Sequence, residues 1–399
     1  MKNFFPPAVF LSFLLAFVSN AEEVRTWTSG TRTSAPPSQN TETLTANDRE
    51  TIDGILREFY NKYSLPGGIS MAISYRERLV YAGAIGYADK QHQIPLTPKH
   101  RMRIASISKS VTSIAIMKLV ETKKLNLNDE VFGRTGIFRG ECGIPEYESR
   151  PTKVMVKQLL EHTAGGWGSL SKKCPQFSTP PKDSWKEFMQ TVIREHPLEH
   201  LPGTKHDYSN FGYCVLGRII ETKSGMTYEN YVKKHVLMPC GINGMRIGGK
   251  VSGPDEVEYT GTDKNKNPDS TTPFYIDSCG GWIASPIELL KLLARIDGFP
   301  NVPDILKNET IKTMATPSAQ NNNYALGLRL FGSNNWGHTG GMAGTSTMMV
   351  RRSDGFNLVI LVNFGFCSAP EYPEFYKDIG NIILKIKEKI QEWPTGTEL

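Results

Sequence analysis

Strand-like segments lie near both ends of this 399-residue chain, and a long helix-patterned stretch separates them. Residues 69–73 alternate apolar with small or polar side chains, and residues 345–351 and 358–363 are β-patterned on either side of a Ser-Asp-Gly turn. Hairpins of this kind, without alternating βαβ units, favour an α+β fold with a mainly antiparallel sheet flanked by helices. The two chain ends then build the sheet, and the helical middle is an insertion.

The N-terminal region predicts export. Lys2, an apolar run and the small residues Ser19 and Ala21 are typical of a signal peptide that is cleaved after Ala21. A membrane anchor is the alternative, but two prolines interrupt the run, which is shorter than the ~20 apolar residues of a membrane helix. We therefore expect a secreted protein without membrane contact after cleavage. The expected parts are a signal peptide at 1–21, a Ser/Thr/Pro-rich linker at 22–46, a sheet domain formed by 47–110 and 271–395, and an inserted all-helical domain at 111–270.

The net charge and the spacing of the histidines indicate which partners and cofactors are not expected. The 46 Lys and Arg against 40 Asp and Glu give a net charge of only +6, without a basic block, so a nucleic-acid partner is not expected. His196, His200 and His206 cluster, but Pro197 separates the first two and prevents a helical pair of metal ligands. We therefore expect neither a metal nor an organic cofactor. The sequence leaves the oligomeric state open.

Two kinds of covalent modification fit an exported chain. Asn308 opens an Asn-Glu-Thr sequon, which is a glycosylation site if it is exposed. The six cysteines suggest disulfides, and closing a local loop is worth ~3 kcal/mol in the chain-entropy model. The two local pairs that we expect are Cys142–Cys174 and Cys214–Cys240.

A Ser-x-x-Lys motif formed by Ser106 and Lys109 opens the most hydrophobic helical segment of the chain. Helical spacing places Lys109 one turn after Ser106 on the same face. A serine hydroxyl needs a nearby base to act as a nucleophile, and a lysine desolvated in an apolar helix can accept or relay its proton. Ser169 and Lys172 form a second match, but in a Gly-rich loop with no helical pattern after it. The alternative for the first match is a serine-rich helix start with a surface lysine.

Tyr208, Ser209 and Asn210 form a Tyr-x-Asn motif in a loop just before the apolar helical segment 211–222. A tyrosine oxygen near cations can serve as a general base, and an asparagine side chain can orient a substrate amide or ester. Tyr228 begins a second match inside an amphipathic helical pattern, whereas site residues favour loops. The alternative for the first match is a helix cap, with Asn210 as the N-cap residue.

A third motif, His338-Thr339-Gly340-Gly341, precedes the strand predicted at 345–351. Glycines let a substrate approach the backbone closely, and the Gly341 amide is suited to donate to an oxyanion. The alternative for His338 is an edge-strand histidine that points to water.

In this order and spacing the three motifs resemble the serine β-lactamase and penicillin-binding-protein family. The resemblance is greatest to its class C-like branch, which includes D-aminopeptidases, esterases and LACTB-type proteins. It covers about residues 67–365 and implies an antiparallel sheet flanked by helices, with a helical insertion. The segments that carry it beyond the three motifs are 103–105, 117–121, 159–165, 280–282 and 324–327.

The resemblance also implies a role for each motif residue. Ser106 is the implied acylated nucleophile, and Lys109 relays its proton. Tyr208 is the implied general base and then the acid for the leaving group, while Asn210 holds the substrate. The third motif, with His338, Thr339, Gly340 and Gly341, lines the substrate; it reads Lys-Thr-Gly in most β-lactamases. No glutamate matches the deacylating base of class A β-lactamases.

The first interpretation is a secreted serine hydrolase that cleaves a small ester, amide or peptide through an acyl-enzyme on Ser106. The alternative is a catalytically weak or inactive binding or assembly protein on the same scaffold. Histidine is mostly uncharged at neutral pH, so His338 cannot replace the lysine that anchors a substrate carboxylate. We therefore expect a preference for neutral acyl groups and little β-lactamase activity. His162 is expected to support a loop rather than to catalyse.

Overall fold

A computed structural model describes residues 43–139, 153–167, 184–248, 255–261, 276–365 and 372–399. The expected signal peptide and almost all of the expected linker lie outside these residues. So do Cys142, Cys174 and the second Ser-x-x-Lys match at Ser169 and Lys172. The signal peptide and the Cys142–Cys174 disulfide therefore stay predictions.

The described segments form the following strands and helices. The strands are β1 (Gly68–Tyr75), β2 (Arg78–Asp89), β3 (Ile94–Pro95), β4 (Met102–Arg103), β5 (Arg246–Ile247), β6 (Thr260–Gly261), β7 (Trp282–Ala284), β8 (Arg329–Leu330), β9 (Trp336–Met342), β10 (Thr345–Arg351), β11 (Phe356–Val362) and β12 (Phe364–Gly365). The helices are α1 (Ala46–Lys62), α2 (Ser108–Glu121), α3 (Val156–Leu160), α4 (Trp185–Glu195), α5 (Asn210–Ser224), α6 (Tyr228–Val232), α7 (Asp277–Gly280), α8 (Pro286–Leu293), α9 (Asn308–Met314) and α10 (Tyr372–Lys389).

The main sheet joins the two ends of the chain. Its order is β3-β2-β1-β11-β10-β9-β8, and neighbouring strands are antiparallel. At the centre, Ile69 of β1 lies opposite Val362 of β11, and Tyr75 lies opposite Phe356. The prediction of an α+β fold with a mainly antiparallel sheet is confirmed.

Both faces of the sheet are covered. Ile69, Met71 and Ile73 of β1 pack into one hydrophobic cluster with residues of α1 and α10. Ala72, which lies between them in sequence, belongs instead to a larger cluster that includes residues of α2, α5 and α8. Successive side chains of a strand point to opposite faces, which explains the alternation in the sequence. The larger cluster surrounds the helix that follows Ser106.

The prediction that the inserted region 111–270 is all-helical is wrong. Its described residues are mainly helical, but they also contain the short strands β5 and β6. β5 pairs with β7, which also pairs with β4, and β6 runs parallel to β12. The extended segments that connect the helices have backbone N–H and C=O groups that need hydrogen-bond partners, and pairing in these short strands supplies the partners. The ladders connect the insertion to the segments before and after it. The domain boundaries themselves stay predictions.

The predicted Cys214–Cys240 disulfide is wrong. Both residues are buried thiols, and Cys214 Sγ lies 3.8 Å from Cys279 Sγ. The prediction considered cysteines that are close in sequence, whereas α5, which carries Cys214, packs against α7, which carries Cys279. Tertiary packing therefore decides which thiols meet.

Two structural features bear on the prediction that the protein is exported. Asn308 is exposed at the first position of α9, so its sequon is accessible, and its glycosylation stays a prediction. Within the described residues, no helix combines the length and apolarity that crossing a bilayer requires.

Candidate active site

Ser106 lies in a 3₁₀ turn, Ala105–Ile107, that leads into α2. Ala105 is buried and has a φ of +47°, which is uncommon for a residue with a side chain and requires support from its surroundings. Gly340 of β9 allows that support, since a Cβ there would lie 3.0 Å from the Ala105 Cβ and nearer still to the Ile104 carbonyl oxygen. Thr347 Oγ1 also donates a 3.0 Å hydrogen bond to that carbonyl. The turn is held against the sheet, and Ser106 is left partly exposed.

Lys109 connects Ser106 to two other parts of the chain. Its side chain is completely buried. Nζ lies 3.0 Å from Ser106 Oγ, 2.7 Å from Asn210 Oδ1 and 2.7 Å from the carbonyl oxygen of Cys279. The alternative of a surface lysine is therefore wrong. The predicted contact between Ser106 and Lys109 is present, and Asn210 joins it from α5.

The serines of α2 explain why so apolar a helix carries hydroxyl groups. Ser110 Oγ donates to the Gly327 carbonyl at 2.8 Å, and Ser113 Oγ donates to the Leu326 carbonyl at 2.7 Å. Gly327 has a φ of +72°, and a Cβ there would lie 2.6 Å from Ser113 Cβ, so only glycine fits. These bonds hold the segment after Tyr324 against the helix that carries Lys109.

The Tyr208 loop is held by His162. The Ser209 N–H donates to His162 Nδ1 at 3.0 Å, and the Asp207 N–H donates to the His162 carbonyl at 2.7 Å. Ser209 is the N-cap of α5, since its Oγ accepts from the Gly212 N–H at 3.0 Å. The alternative that Asn210 is the N-cap residue is therefore wrong, because the residue before it has that role. The Asn210 side chain contacts Lys109 instead. His162 supports a loop, as expected.

The Tyr208 ring lies among charged and aromatic groups. Lys109 Nζ is 4.9 Å and Arg329 Cζ is 5.7 Å from the centre of the ring, and the His162 ring is 4.2 Å away. Tyr208 is partly exposed. Tyr228, the second Tyr-x-Asn match, is instead buried and accepts a 2.8 Å hydrogen bond from the Trp282 indole. Of the two matches, the Tyr208 match is therefore the one whose tyrosine ring lies beside Lys109.

His338 is not accessible to a substrate, contrary to the substrate-lining role that the resemblance implies. Its side chain is completely buried, with Nδ1 2.6 Å from the Thr339 carbonyl and Nε2 3.1 Å from the Tyr324 hydroxyl. Both ring nitrogens are thus occupied, which also excludes the alternative of a histidine pointing to water. The pattern of a strand gives the side of the sheet on which a residue lies, but not the depth of cover over it. Thr339 and Gly341 of β9 are partly exposed.

A buried hydrogen-bonded relay connects His162, Tyr324 and His338. The Tyr324 hydroxyl lies 3.0 Å from His162 Nε2 and 3.1 Å from His338 Nε2. His162 Nδ1 already accepts from Ser209, so Nε2 of the neutral ring carries its proton and donates to Tyr324. His338 Nδ1 donates to a carbonyl, so its Nε2 accepts from Tyr324. This arrangement of protons satisfies the His162 and His338 rings through Tyr324, and it joins the Tyr208 loop to β9.

Burial keeps this relay neutral. Burial lowers the pKa of His338 well below its ordinary value, and the charges of Arg329 and Lys109 lower it further. Burial likewise lowers the pKa of His162, and it raises the pKa of Tyr324. Burial also lowers the pKa of His206 to about 4, and that ring packs edge-on against His162. At neutral pH the histidines therefore act as hydrogen-bonding groups, not as cations.

The relay and Arg329 were not identified from the motifs. His162 and Tyr324 stand in segments that carry the family resemblance, but their contact joins residues 162 positions apart. Arg329 lies on the edge strand β8 opposite Gly337. Cys279 contributes its carbonyl, which no side-chain pattern reveals. Within the described residues, no three His, Cys, Asp or Glu side chains converge as metal ligands.

Comparison with known proteins identifies the family. The family profile described as Beta-lactamase matches residues 52–369, most of the chain. The chain belongs to the beta-lactamase family. The match includes Ser106, Lys109, Tyr208, Asn210 and His338.

Among curated proteins, the chain is similar to Protein flp of Staphylococcus aureus (strain MW2), with 29% identity over 196 residues. That match covers 49% of this chain and 38% of the staphylococcal protein. Penicillin-binding protein 4* of Bacillus subtilis (strain 168) is 25% identical over 302 residues, covering 69% of this chain and 63% of the bacillar protein. The chain therefore spans less than two thirds of either relative.

Among solved structures, the D-amino acid amidase of Ochrobactrum anthropi SV3 has a TM-score of 0.70 at 22% identity, covering 86% of this chain and 99% of the amidase. The octameric penicillin-binding protein homologue of Pyrococcus abyssi has a TM-score of 0.64 at 25% identity, covering 86% of this chain and 79% of that chain. These likenesses agree with the antiparallel sheet and its flanking helices.

Proposed function

We propose that this protein is a serine hydrolase that cleaves small esters, amides or peptides through an acyl-enzyme on Ser106. The observation that carries the proposal is the contact of a completely buried Lys109 with the Ser106 hydroxyl at 3.0 Å. A partly exposed serine held against a buried lysine has a nucleophile and a proton acceptor in hydrogen-bond reach.

The partners of Lys109 define how it would accept a proton. Asn210 Oδ1 and the Cys279 carbonyl are acceptors only, so each uses one N–H of Lys109. The third N–H of Lys109 donates to Ser106 Oγ at 3.0 Å, and loss of that proton would leave a lone pair that faces the same hydroxyl. Ser106 is the one partner of the three that can donate. The geometry therefore suits transfer of the hydroxyl proton from Ser106 to Lys109 as Oγ attacks a carbonyl carbon.

Tyr208 and two backbone amides complete the proposed chemistry. Tyr208 would protonate the leaving group, and the nearby positive charges of Lys109 and Arg329 would attract the negative oxygen that results. The amides of Ser106 and Gly341, on the turn and strand that Gly340 brings together, would donate to the oxyanion. Water then attacks the acyl carbon, and Ser106 recovers its proton.

The relatives support this reaction class. The names of two of them refer to an amidase and to penicillin binding, and both types of protein act on carbonyl centres of amides. We also propose export through residues 1–21, which rests on the sequence pattern alone. N-terminal sequencing of protein recovered from the medium of expressing cells tests it, with Glu22 expected as the first residue and Met1 contradicting cleavage.

The reaction is tested with a panel of aryl esters, D-amino-acid amides and a chromogenic β-lactam. Ser106→Ala and Lys109→Ala are expected to abolish turnover of every substrate that the wild type cleaves. Ser169→Ala and Lys172→Ala, in the other Ser-x-x-Lys match, are expected to retain it. Wild-type protein that turned over nothing and resisted a fluorophosphonate probe would instead support a binding or assembly role.

A further inference from the structure

Tyr376 of α10 contacts the strand that borders Ser106. Its hydroxyl donates a hydrogen bond to the carbonyl oxygen of Gly340 on β9. The Tyr376 ring is partly buried and packs against the hydrophobic cluster that α10 shares with α1 and β1, on the face of the sheet away from α2. A side chain from that face therefore reaches the backbone of β9 at the point where the Ser106 turn approaches it.

The Gly340 carbonyl and the Gly341 amide belong to one peptide group. The group is trans, so it is planar, and its C=O and N–H bonds point in opposite directions. The Tyr376 hydroxyl therefore fixes one end of the group whose other end would donate to the oxyanion. Hydrogen bonds in a chain also polarise one another, so donation to the C=O strengthens the N–H as a donor.

Thr347 does not take the place of Tyr376. Thr347 lies opposite Gly340 on β10, and its Oγ1 is 3.0 Å from the Ile104 carbonyl oxygen and 3.3 Å from the Gly340 carbonyl oxygen. A hydroxyl has a single proton, and the shorter contact directs it to Ile104. The Tyr376 hydroxyl then supplies a side-chain donor to Gly340.

Other contacts anchor α10, so the Tyr376 hydroxyl is not needed to dock the helix. Phe375 is completely buried on the face that α1 covers. Asp378 accepts from Lys62 at 2.6 Å and from the Tyr63 hydroxyl at 2.9 Å. Removal of the Tyr376 hydroxyl should therefore leave the helix in place and change the peptide group that it contacts.

We propose that Tyr376 is a positioning residue for the oxyanion site: its hydroxyl orients and polarises the peptide group that presents the Gly341 amide to the substrate. This inference rests on the proposed function and adds to it a residue outside the three motifs. Negative charge on the substrate oxygen develops only as Ser106 attacks, so Tyr376 stabilises the tetrahedral intermediate more than the bound substrate.

Two tyrosine variants test the inference by kinetics. Tyr376→Phe keeps the ring and removes the hydroxyl, and Tyr63→Phe is the matched control, because it removes another hydroxyl that is bonded to α10. An oxyanion forms in both acylation and deacylation. Tyr376→Phe is therefore expected to lower kcat for an aryl ester about 3- to 10-fold, the usual effect of losing one neutral hydrogen bond, with KM within about twofold of wild type. Tyr63→Phe should keep both constants within about twofold.

Binding of phenylboronic acid gives a second measurement that does not depend on turnover. Ser106 Oγ would bond to boron and lose its proton to Lys109, which forms a tetrahedral, negatively charged adduct with an oxygen in the oxyanion site. Such an adduct resembles the tetrahedral intermediate, so Tyr376→Phe should bind the acid about 3- to 10-fold more weakly than wild type. Tyr63→Phe should bind it as wild type does.

The outcomes separate this role from the proposed reaction. Wild-type kcat and boronic-acid affinity in Tyr376→Phe would overturn the role of Tyr376 and leave the reaction standing. Equal losses in Tyr376→Phe and Tyr63→Phe would also overturn it, because the hydroxyl would then only anchor α10. Wild-type protein that neither cleaved the esters nor bound the boronic acid would contradict the proposed reaction and this role with it.

Discussion

Tyr324 offers the sharpest test of how the site is held together. The variant Tyr324→Phe keeps the ring and removes only the hydroxyl that bridges His162 and His338. His162 Nε2–H loses its acceptor, and His338 Nε2 loses its donor. Both atoms belong to buried side chains, which are 1% and 0% exposed. Leaving a buried polar group unpaired costs about 1–3 kcal/mol, so the two groups together are expected to lower the free energy of unfolding by about 2–6 kcal/mol.

The relay also positions catalytic groups, so the variant should lose activity beyond its loss of stability. His162 holds the Ser209 amide next to Tyr208, and His338 lies on β9 beside Gly340. A displacement of about 1 Å at such groups can lower the rate about 100-fold. We expect kcat of Tyr324→Phe to fall about 10- to 100-fold with little change in KM, measured under conditions where the variant is fully folded.

Tyr81→Phe is the matched control. Tyr81 is 1% exposed, and its hydroxyl donates to Asp53 on α1, on the other side of the sheet from α2. This variant loses one bond to a partly exposed acceptor, so about 0.5–1.5 kcal/mol is expected, with activity within about twofold of wild type. Urea unfolding and ester turnover are measured for both variants. If Tyr324→Phe lost stability but kept wild-type kcat, the relay would be structural only, and the positioning role would be refuted.

Three further predictions concern packing, pH and the cysteines. Gly340→Ala should lower kcat at least about tenfold, because the new Cβ would press on Ala105. As a control, Gly54→Ala places its Cβ in open space in α1 and should stabilise the fold by ~1 kcal/mol. An unchanged kcat in Gly340→Ala would refute the packing argument. The pKa of His206 is lowered to about 4 in the folded protein. Between about pH 6.5 and pH 4, the unfolded chain therefore binds a proton that the folded protein does not bind. As the pH is lowered through this range, the free energy of unfolding should decrease by up to ~1.4 kcal/mol per pH unit. Urea unfolding of His206→Asn should show a correspondingly smaller slope between pH 6.5 and 4.5, and identical slopes would contradict the assignment. Non-reducing peptide maps should show Cys142 linked to Cys174 and no Cys214–Cys240 link, and the reverse result would overturn both expectations.

The sequence predicted the parts of the site that are set by local spacing. Ser106 and Lys109 are three residues apart at the start of a helix, so their contact follows from helical geometry. The strand predicted at 345–351 is β10, with the same bounds. Alternation in residues 69–73 likewise gave the two faces of β1, because period two is a property of the strand itself.

The remaining features depend on distant segments. The Tyr324 relay and the position of Arg329 need three separate parts of the chain to meet, and no local period encodes such a meeting. The resemblance implies that His338 lines the substrate, yet its ring is buried and its Nε2 is bonded to the Tyr324 hydroxyl. Similarly, Cys214 meets Cys279 because α5 packs on α7. Packing between elements, rather than periodicity, decides these contacts.

Formation of a covalent adduct on Ser106 is the most direct test of the central claim. Wild-type protein is mixed with an activated aryl ester, quenched in acid within the first turnover, and measured by intact-mass spectrometry and peptide mapping. We predict a mass increase equal to one acyl group, located on the peptide that contains Ser106 and absent from Ser106→Ala. Turnover at the wild-type rate by Ser106→Ala, or an acyl group located on another residue, would contradict the acyl-enzyme mechanism.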